Sequence, residues 1–189
     1  MPLPKRIALA AAIACAASVP AAAQEARPPA ATAPAAAPTH SVDVQSVDAI
    51  VAALYDTISG PAGGARDWAR LHSLFAPDAR LMAVGARPEG GFGARSMSVD
   101  DYIARVTPVF ARTGFYEKEA ARTTETFGQI VHVFSTYESR HAAADARPFQ
   151  RGINSIQLFN DGRRWWIVHL VWRAEDDKLA LPERYLQSR

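Results

Sequence analysis

The fold of this chain is decided near its carboxyl end by Asp161-Gly162-Arg163-Arg164-Trp165-Trp166-Ile167-Val168-His169-Leu170-Val171-Trp172-Arg173. Asp-Gly between two β-rich runs predicts a hairpin, because both residues tolerate a positive φ. Side chains alternate across a strand. The predicted faces are Trp165, Ile167, His169 and Val171 on one side, and Trp166, Val168, Leu170 and Trp172 on the other.

Neither of these faces is polar, so the strand is predicted to be covered on both sides. The helices of a small domain can cover one face of a sheet. The second face then needs a partner, and another copy of the chain is the simplest source. We therefore expect a homodimer that forms through a sheet face bearing Trp166, Leu170 and Trp172.

The N-terminus has the pattern of an export signal. Lys5 and Arg6 precede an apolar run, residues 7–17, that is too short to span a bilayer. Ala21-Ala22-Ala23 is typical of a signal peptidase site, so cleavage is expected before Gln24. The mature protein is predicted to be exported, to the periplasm or the medium, and to have no stable membrane span.

The single cysteine, Cys15, lies within this signal. Ala12 stands where a bacterial lipoprotein box has leucine, which argues against lipid anchoring at Cys15. The mature chain then has no thiol for a disulfide or a cysteine-based metal site. Loss of Lys5 and Arg6 reduces the 21 basic residues to 19, equal to the 19 acidic ones. This balanced charge argues against a nucleic-acid partner.

The remaining sequence divides into three parts. Residues 24–42 are rich in alanine and proline, which predicts an extended, disordered linker. Residues 43–178 form one domain of ordinary size. Residues 179–189 form a C-terminal tail, of which the part from Leu181 to Leu186 is expected to be a short helix or a last strand.

Periodicity predicts helices first and an antiparallel meander afterwards. Apolar residues at helical spacing indicate helices at 47–58, after Asp67 and after Ser98. The predicted strands are Ala79 to Val84, Phe115 to Thr124, Phe127 to Arg140, Arg151 to Asn160 and Arg163 to Arg173, with a glycine-rich loop or hairpin tip from Gly85 to Gly93. This order is typical of an α+β fold.

Two motifs give the chain a family resemblance. Leu74-Phe75-Ala76-Pro77-Asp78-Ala79 resembles the L-F-x-x-D-A element after the second helix of the nuclear transport factor 2-like superfamily. Asp161-Gly162 with Trp165, Ile167, Val168 and His169 is similar to its final D-G-x-W-x-I-x-x hairpin. The resemblance covers Val44 to Arg173, and more narrowly the chain resembles the bacterial SnoaL-like branch.

This resemblance implies a cystatin-like cone, in which N-terminal helices pack on a curved antiparallel sheet and enclose an apolar pocket. It also implies dimerisation through the outer sheet face. The predicted pocket residues are Tyr55, Trp68, Phe75, Met82, Phe110, Asn154, Trp165 and His169.

Ketosteroid isomerases of this superfamily use an aspartate base and a tyrosine in an oxyanion hole. By ungapped matching, Ile50 stands in the place of that tyrosine and Ala83 near that of the base. The stretch from Leu81 to Val84 contains no carboxylate in any register. Isomerisation by that mechanism is therefore not expected.

A pocket histidine is the remaining candidate for a general base. The candidates are His169, which shares its predicted face with Trp165, and His132, which shares a face with Phe134 and Glu138. A half-buried structural histidine is the alternative interpretation of His169.

The predicted function is therefore binding of a small apolar or amphipathic molecule. The alternatives are a small lyase, hydrolase or isomerase that uses a pocket histidine, and a protein-interaction module that uses the outer sheet face. No metal is expected, because the five histidines form no i, i+4 pair. No cofactor is expected either, since Gly90-Gly91-Phe92-Gly93 lacks the Lys-Ser/Thr of a phosphate-binding loop.

Overall fold

The computed structural model describes residues 41–187. The predicted signal peptide and most of the predicted linker lie outside the described residues. The helices are α1 (Val47–Ile58), α2 (Trp68–Leu74) and α3 (Val99–Phe110), with short 3-10 turns at Ser41–Val44 and Glu183–Tyr185. The strands are β1 (Phe75–Ala86), β2 (Phe92–Met97), β3 (Tyr116–Phe127), β4 (Ile130–Arg140), β5 (Gln150–Asn160) and β6 (Trp165–Ala174).

Polar side chains define where the helices begin. The Ser46 hydroxyl accepts a hydrogen bond from the Ala49 amide at the start of α1. At the start of α3, Ser98 and Asp101 form a reciprocal capping box. Such caps satisfy amide groups that have no partner within the helix. The predicted starts of these helices are thus confirmed, and α3 continues past Pro108 to Phe110.

Within the described residues, the six strands form one sheet in the order β2-β1-β6-β5-β4-β3. All neighbours are antiparallel except β1 and β6, which run parallel. The three helices precede most of these strands, so the predicted α+β fold is confirmed.

Two predicted strand limits were wrong. The turn between β3 and β4 lies at residues 128–129 and not near Glu125, because Gly128 supplies the positive φ of 55° that the turn needs. The strand predicted at Ala79 to Val84 is longer, and the residues after the glycine-rich loop return as β2 to pair with it.

A bulge in β6 interrupts the alternation of its side chains. Leu158 pairs with Ile167, but Gln157 pairs with His169, so Val168 is left out of the register. An extra residue moves all later side chains to the opposite face. The inner face of β6 therefore carries Trp165, Ile167, Leu170 and Trp172, and the outer face carries Trp166, His169 and Val171. The faces predicted from strict alternation are wrong beyond Val168.

The hydrophobic core lies between the helices and the inner sheet face. Its fully buried side chains include Ile50 and Val51 of α1, Leu71 of α2 and Ile156 and Ile167 of the sheet. Burial of each such side chain contributes roughly 1.5–3 kcal/mol.

The C-terminal segment packs on the other side of the sheet. The Tyr185 ring lies 5.1 Å from that of Phe134, and the Tyr185 carbonyl accepts a hydrogen bond from the Thr136 hydroxyl. Both contacts involve outer-face residues of β4, so the tail covers part of the outer face.

Candidate functional site

A cavity of about 420 Å³ opens between α3 and the inner sheet face. Most of its surface is apolar and includes Leu54 of α1, Phe75 and Leu81 of β1, Val106 and Phe110 of α3, and Leu170 and Trp172 of β6. Its volume falls in the range of small-molecule sites, about 300–1,000 Å³.

One carboxyl group, that of Glu117, lines this cavity. Glu117 is held in place by the end of α1. The Ser59 hydroxyl accepts a hydrogen bond from the Glu117 amide at 2.9 Å and donates one to its carbonyl at 3.1 Å. Gly60 and Phe115 exchange two backbone hydrogen bonds just before it. The helix end therefore fixes the strand at the point where the carboxyl group enters the cavity.

The Glu117 carboxylate accepts two side-chain hydrogen bonds from neighbouring strands. Ser139 donates to Oε2 at 2.7 Å, and Asn154 donates through Nδ2 to Oε1 at 3.4 Å. Burial nevertheless raises the pKa of Glu117 to about 7, although both hydrogen bonds act to lower it. The loss of solvation of the charged form outweighs the two donors. This acid therefore exchanges its proton near neutral pH.

A polar network extends from Glu117 behind the cavity. Asn154 also donates to the Tyr55 hydroxyl at 3.1 Å, and Tyr55 and Ser135 share a hydrogen bond of 2.7 Å. Ser135 donates in turn to Glu119 at 2.6 Å. Tyr55, Ser135 and Asn154 are all buried, so the network fixes the orientation of the amide that faces Glu117.

Two tyrosines add to the polar part of the cavity wall. Burial raises the pKa of Tyr102 and of Tyr137, and the nearby Glu117 charge raises both further. Their hydroxyls therefore remain protonated and able to donate. Tyr102 packs edge-on against Trp172 at 6.2 Å.

Gly152 makes room for the Tyr137 ring. A Cβ at Gly152 would lie 2.6 Å from the Tyr137 hydroxyl and 2.4 Å from the Arg173 carbonyl oxygen. No side chain fits there without displacing one of them.

The exposed residues that line the cavity lie on α3 and at the connection between β4 and β5, and they mark its mouth. His141 stacks on Phe149 with ring centroids 4.1 Å apart, and both residues line the cavity. Gly114 faces this connection so closely that a Cβ would lie 2.2 Å from the His141 carbonyl oxygen. Arg105 of α3 is exposed and lines the same cavity.

Of the eight predicted pocket residues, Phe75, Phe110 and Asn154 line this cavity. Tyr55 lies behind it and is hydrogen-bonded to Asn154. Trp68 packs on Phe110, with ring centroids 6.4 Å apart. The other three residues, Met82, Trp165 and His169, are not among the lining residues. Met82 pairs with Val171, so it faces outward.

The two candidate histidines lie on the outer sheet face and not in the cavity. The bulge at Val168 turns His169 outward, where its Nε2 atom is buried without a hydrogen-bond partner among the described residues. His132 pairs with Gln157 and shares a hydrogen bond of 2.9 Å with Ser155. The structure therefore brings neither imidazole to the cavity.

Sequence reasoning missed Glu117 altogether. It lies between Tyr116 and Lys118, in a run that is typical of an exposed strand end. The sequence feature that could have indicated a buried position for Glu117 is its spacing from Phe115. Phe115 lies two residues earlier, which places both side chains on one face. Both line the cavity.

Comparisons with known proteins bear on the fold. No protein-family model and no curated protein matches the sequence. Among solved structures, the chain is similar to a protein of unknown function from Nostoc punctiforme that has a cystatin-like fold. The TM-score is 0.52 at 12% identity, over 72% of this chain and 92% of that one.

This chain has a cystatin-like fold. The yeast UBP3-associated protein BRE5 is similar as well, with a TM-score of 0.50 at 12% identity over 69% of this chain and 94% of that one. A nuclear transport factor 2-like protein of unknown function from Silicibacter pomeroyi has a TM-score of 0.46 at 19% identity, over 68% and 92%.

Residues 41–187 contain neither a candidate metal centre nor a helix suited to span a membrane. No group of three or more histidine, cysteine, aspartate or glutamate side chains in this range is arranged so that it could hold a metal ion. None of the helices in this range has both the length and the apolar character needed to cross a bilayer.

Proposed function

We propose that this chain is an exported, SnoaL-like binding protein whose cavity holds a small amphipathic molecule. The observation that carries this proposal is the apolar cavity with one carboxyl group, Glu117, and one oriented amide, Asn154, on its wall. An apolar surface supplies affinity, and a few convergent polar groups fix the orientation of a ligand. The ligand therefore has an apolar body and a polar group that contacts Glu117 and Asn154.

Isothermal titration calorimetry with a rigid apolar probe, naphthylacetamide, tests this proposal. Val106→Trp places a bulky side chain in the cavity, whereas Val168→Trp makes the same change at the exposed bulge of β6. We expect wild-type protein and Val168→Trp to bind the probe alike and Val106→Trp to lose binding. Equal binding by the two variants would place the probe elsewhere and count against the proposal.

The raised pKa of Glu117 supports a second candidate function, general acid–base catalysis in the same cavity. A poorly solvated carboxylate with a pKa near 7 is suited to removing a proton from a bound substrate. The chain would then be a lyase, hydrolase or isomerase whose base is Glu117 and not a histidine.

A generic proton-abstraction probe, nitrobenzisoxazole, tests this second function. Glu117 would remove the proton from the ring carbon while the nitrogen–oxygen bond breaks, which yields a cyanophenolate. We expect the rate to rise with pH through about 7 and to fall roughly 100-fold in Glu117→Gln. A rate that this substitution leaves unchanged would exclude Glu117 as the base.

A further inference from the structure

Arg105 differs from the other groups that line the cavity. Among the described lining residues, Arg105 alone carries a fixed positive charge. It lies on the same side of α3 as Tyr102, Val106 and Val109, at the i, i+3, i+4 and i+7 spacing of one helix face. Its side chain is exposed, so it reaches from the apolar wall towards solvent.

Arg105 also has no acidic partner in the described part of the chain. Eight other arginines donate hydrogen bonds to carboxylates or backbone carbonyls there: Arg66, Arg70, Arg80, Arg122, Arg140, Arg151, Arg164 and Arg173. No ion pair and no side-chain hydrogen bond of Arg105 occurs among residues 41–187. Its guanidinium group is therefore available to a ligand at the mouth.

We propose that the ligand of this cavity is an amphiphile with an anionic end, such as a carboxylate, and that Arg105 binds this end at the mouth. The planar guanidinium group matches a carboxylate with two parallel hydrogen bonds. The apolar body then lies between α3 and the sheet, and the polar group of the proposed ligand, at its other end, contacts Glu117 and Asn154. This inference rests on the proposed binding function and specifies the class of molecule bound.

The charge of Glu117 does not oppose an anion in this cavity below neutral pH. Because burial raises the pKa of Glu117 to about 7, its carboxyl group is largely uncharged in slightly acidic solution. Arg105 thus sets the preferred ligand charge.

Three probes with the same apolar body test this inference by calorimetry with the purified full chain. Naphthylacetate carries an anionic end, naphthylacetamide a neutral one and naphthylethylamine a cationic one. The variant is Arg105→Gln. Its matched control is Arg112→Gln, which removes the same charge two residues after α3, outside the lining of the cavity.

We expect wild-type protein to bind the acid roughly tenfold more tightly than the amide, and the amine most weakly. Arg105→Gln should abolish the preference for the acid, and Arg112→Gln should retain it. The inference fails if Arg105→Gln keeps the preference or if both variants lose it equally. It also fails if the amide binds as tightly as the acid, which would leave the binding function intact. Binding of none of the three probes would overturn the binding function itself.

Discussion

At the scale of single residues, the carboxyl group of Glu117 is poorly solvated in its charged form, because it is buried in the folded protein. Its pKa in the folded protein, about 7, lies above the ordinary value of 4.5. Below about pH 4.5 both the folded and the unfolded chain carry the proton, so the site then costs no stability. Between these two values the folded chain binds more protons, and stability therefore falls as the pH rises.

We predict that, as the pH rises from about 4.5 to above about 7, wild-type protein loses about 3 kcal/mol of unfolding free energy relative to Glu117→Gln. Glutamine keeps the shape of the side chain but cannot ionise. Urea unfolding of both proteins at a series of pH values measures the difference. Glu138→Gln, which removes a carboxylate paired with Arg140 outside the cavity, is the control and should not reproduce this effect. Parallel stability curves for wild-type protein and Glu117→Gln would contradict the prediction.

Sequence reasoning found Asn154 but not Glu117, and the difference has a physical cause. An amide among apolar strand residues is conspicuous. A glutamate next to Lys118 is not, because charged residues at a strand end usually face solvent. The environment of Glu117 depends on Ser59, Ser139 and Asn154, which are distant in sequence and meet only in the folded chain.

At the scale of secondary structure, the bulge in β6 determines which side chains reach the cavity. Val168 is an apolar, β-branched residue, so nothing in its type distinguishes it from its neighbours. Val168 is left without a paired residue because of the way β6 aligns with β5, which only the folded chain shows. Alternation correctly predicted the strand and its hairpin, but reversed the positions of His169, Leu170 and Trp172.

A substitution at Gly152 tests the packing between β5 and Tyr137. Gly152→Ala places a Cβ against the Tyr137 hydroxyl and the Arg173 carbonyl oxygen, and we predict a loss of about 3 kcal/mol in unfolding free energy. Gly85→Ala is the matched control, because a Cβ at this strand glycine meets no atom within 4 Å. Urea midpoints compare the two variants. Similar stability of both would show that the site around Tyr137 is loosely packed.

At the scale of the whole molecule, the homodimer predicted from the sequence remains a prediction, but its residues change. Leu170 and Trp172 line the cavity and face away from the outer side. Trp166 remains on the outer face, next to Phe159, which pairs in turn with Ile130. Phe159 and Ile130 are exposed hydrophobic residues, and they join Trp166 in a row across β4, β5 and β6.

We predict that Ile130→Glu converts a dimer into a monomer, because a charge in this apolar row must be desolvated on association. Size-exclusion chromatography with light scattering measures the mass. Val42→Glu, at an exposed valine in the N-terminal 3-10 turn, is the control and should remain dimeric. A wild-type monomer would contradict the prediction.

More of the architecture than of the candidate site could be predicted from the sequence. The order of helices and strands follows from local periodicity and from caps such as Ser46 and Ser98, which act within a few residues. The parallel pairing of β1 with β6 and the register of β6 depend on contacts between distant segments. The site depends on the same contacts, so its composition could not be read from the sequence alone.

A crystal structure of the wild-type chain with naphthylacetate tests the central claim most directly. We predict one molecule in the cavity, with its rings between α3 and the inner sheet face and its carboxylate at Arg105. A molecule bound only on the outer sheet face, with the cavity empty, would contradict the account.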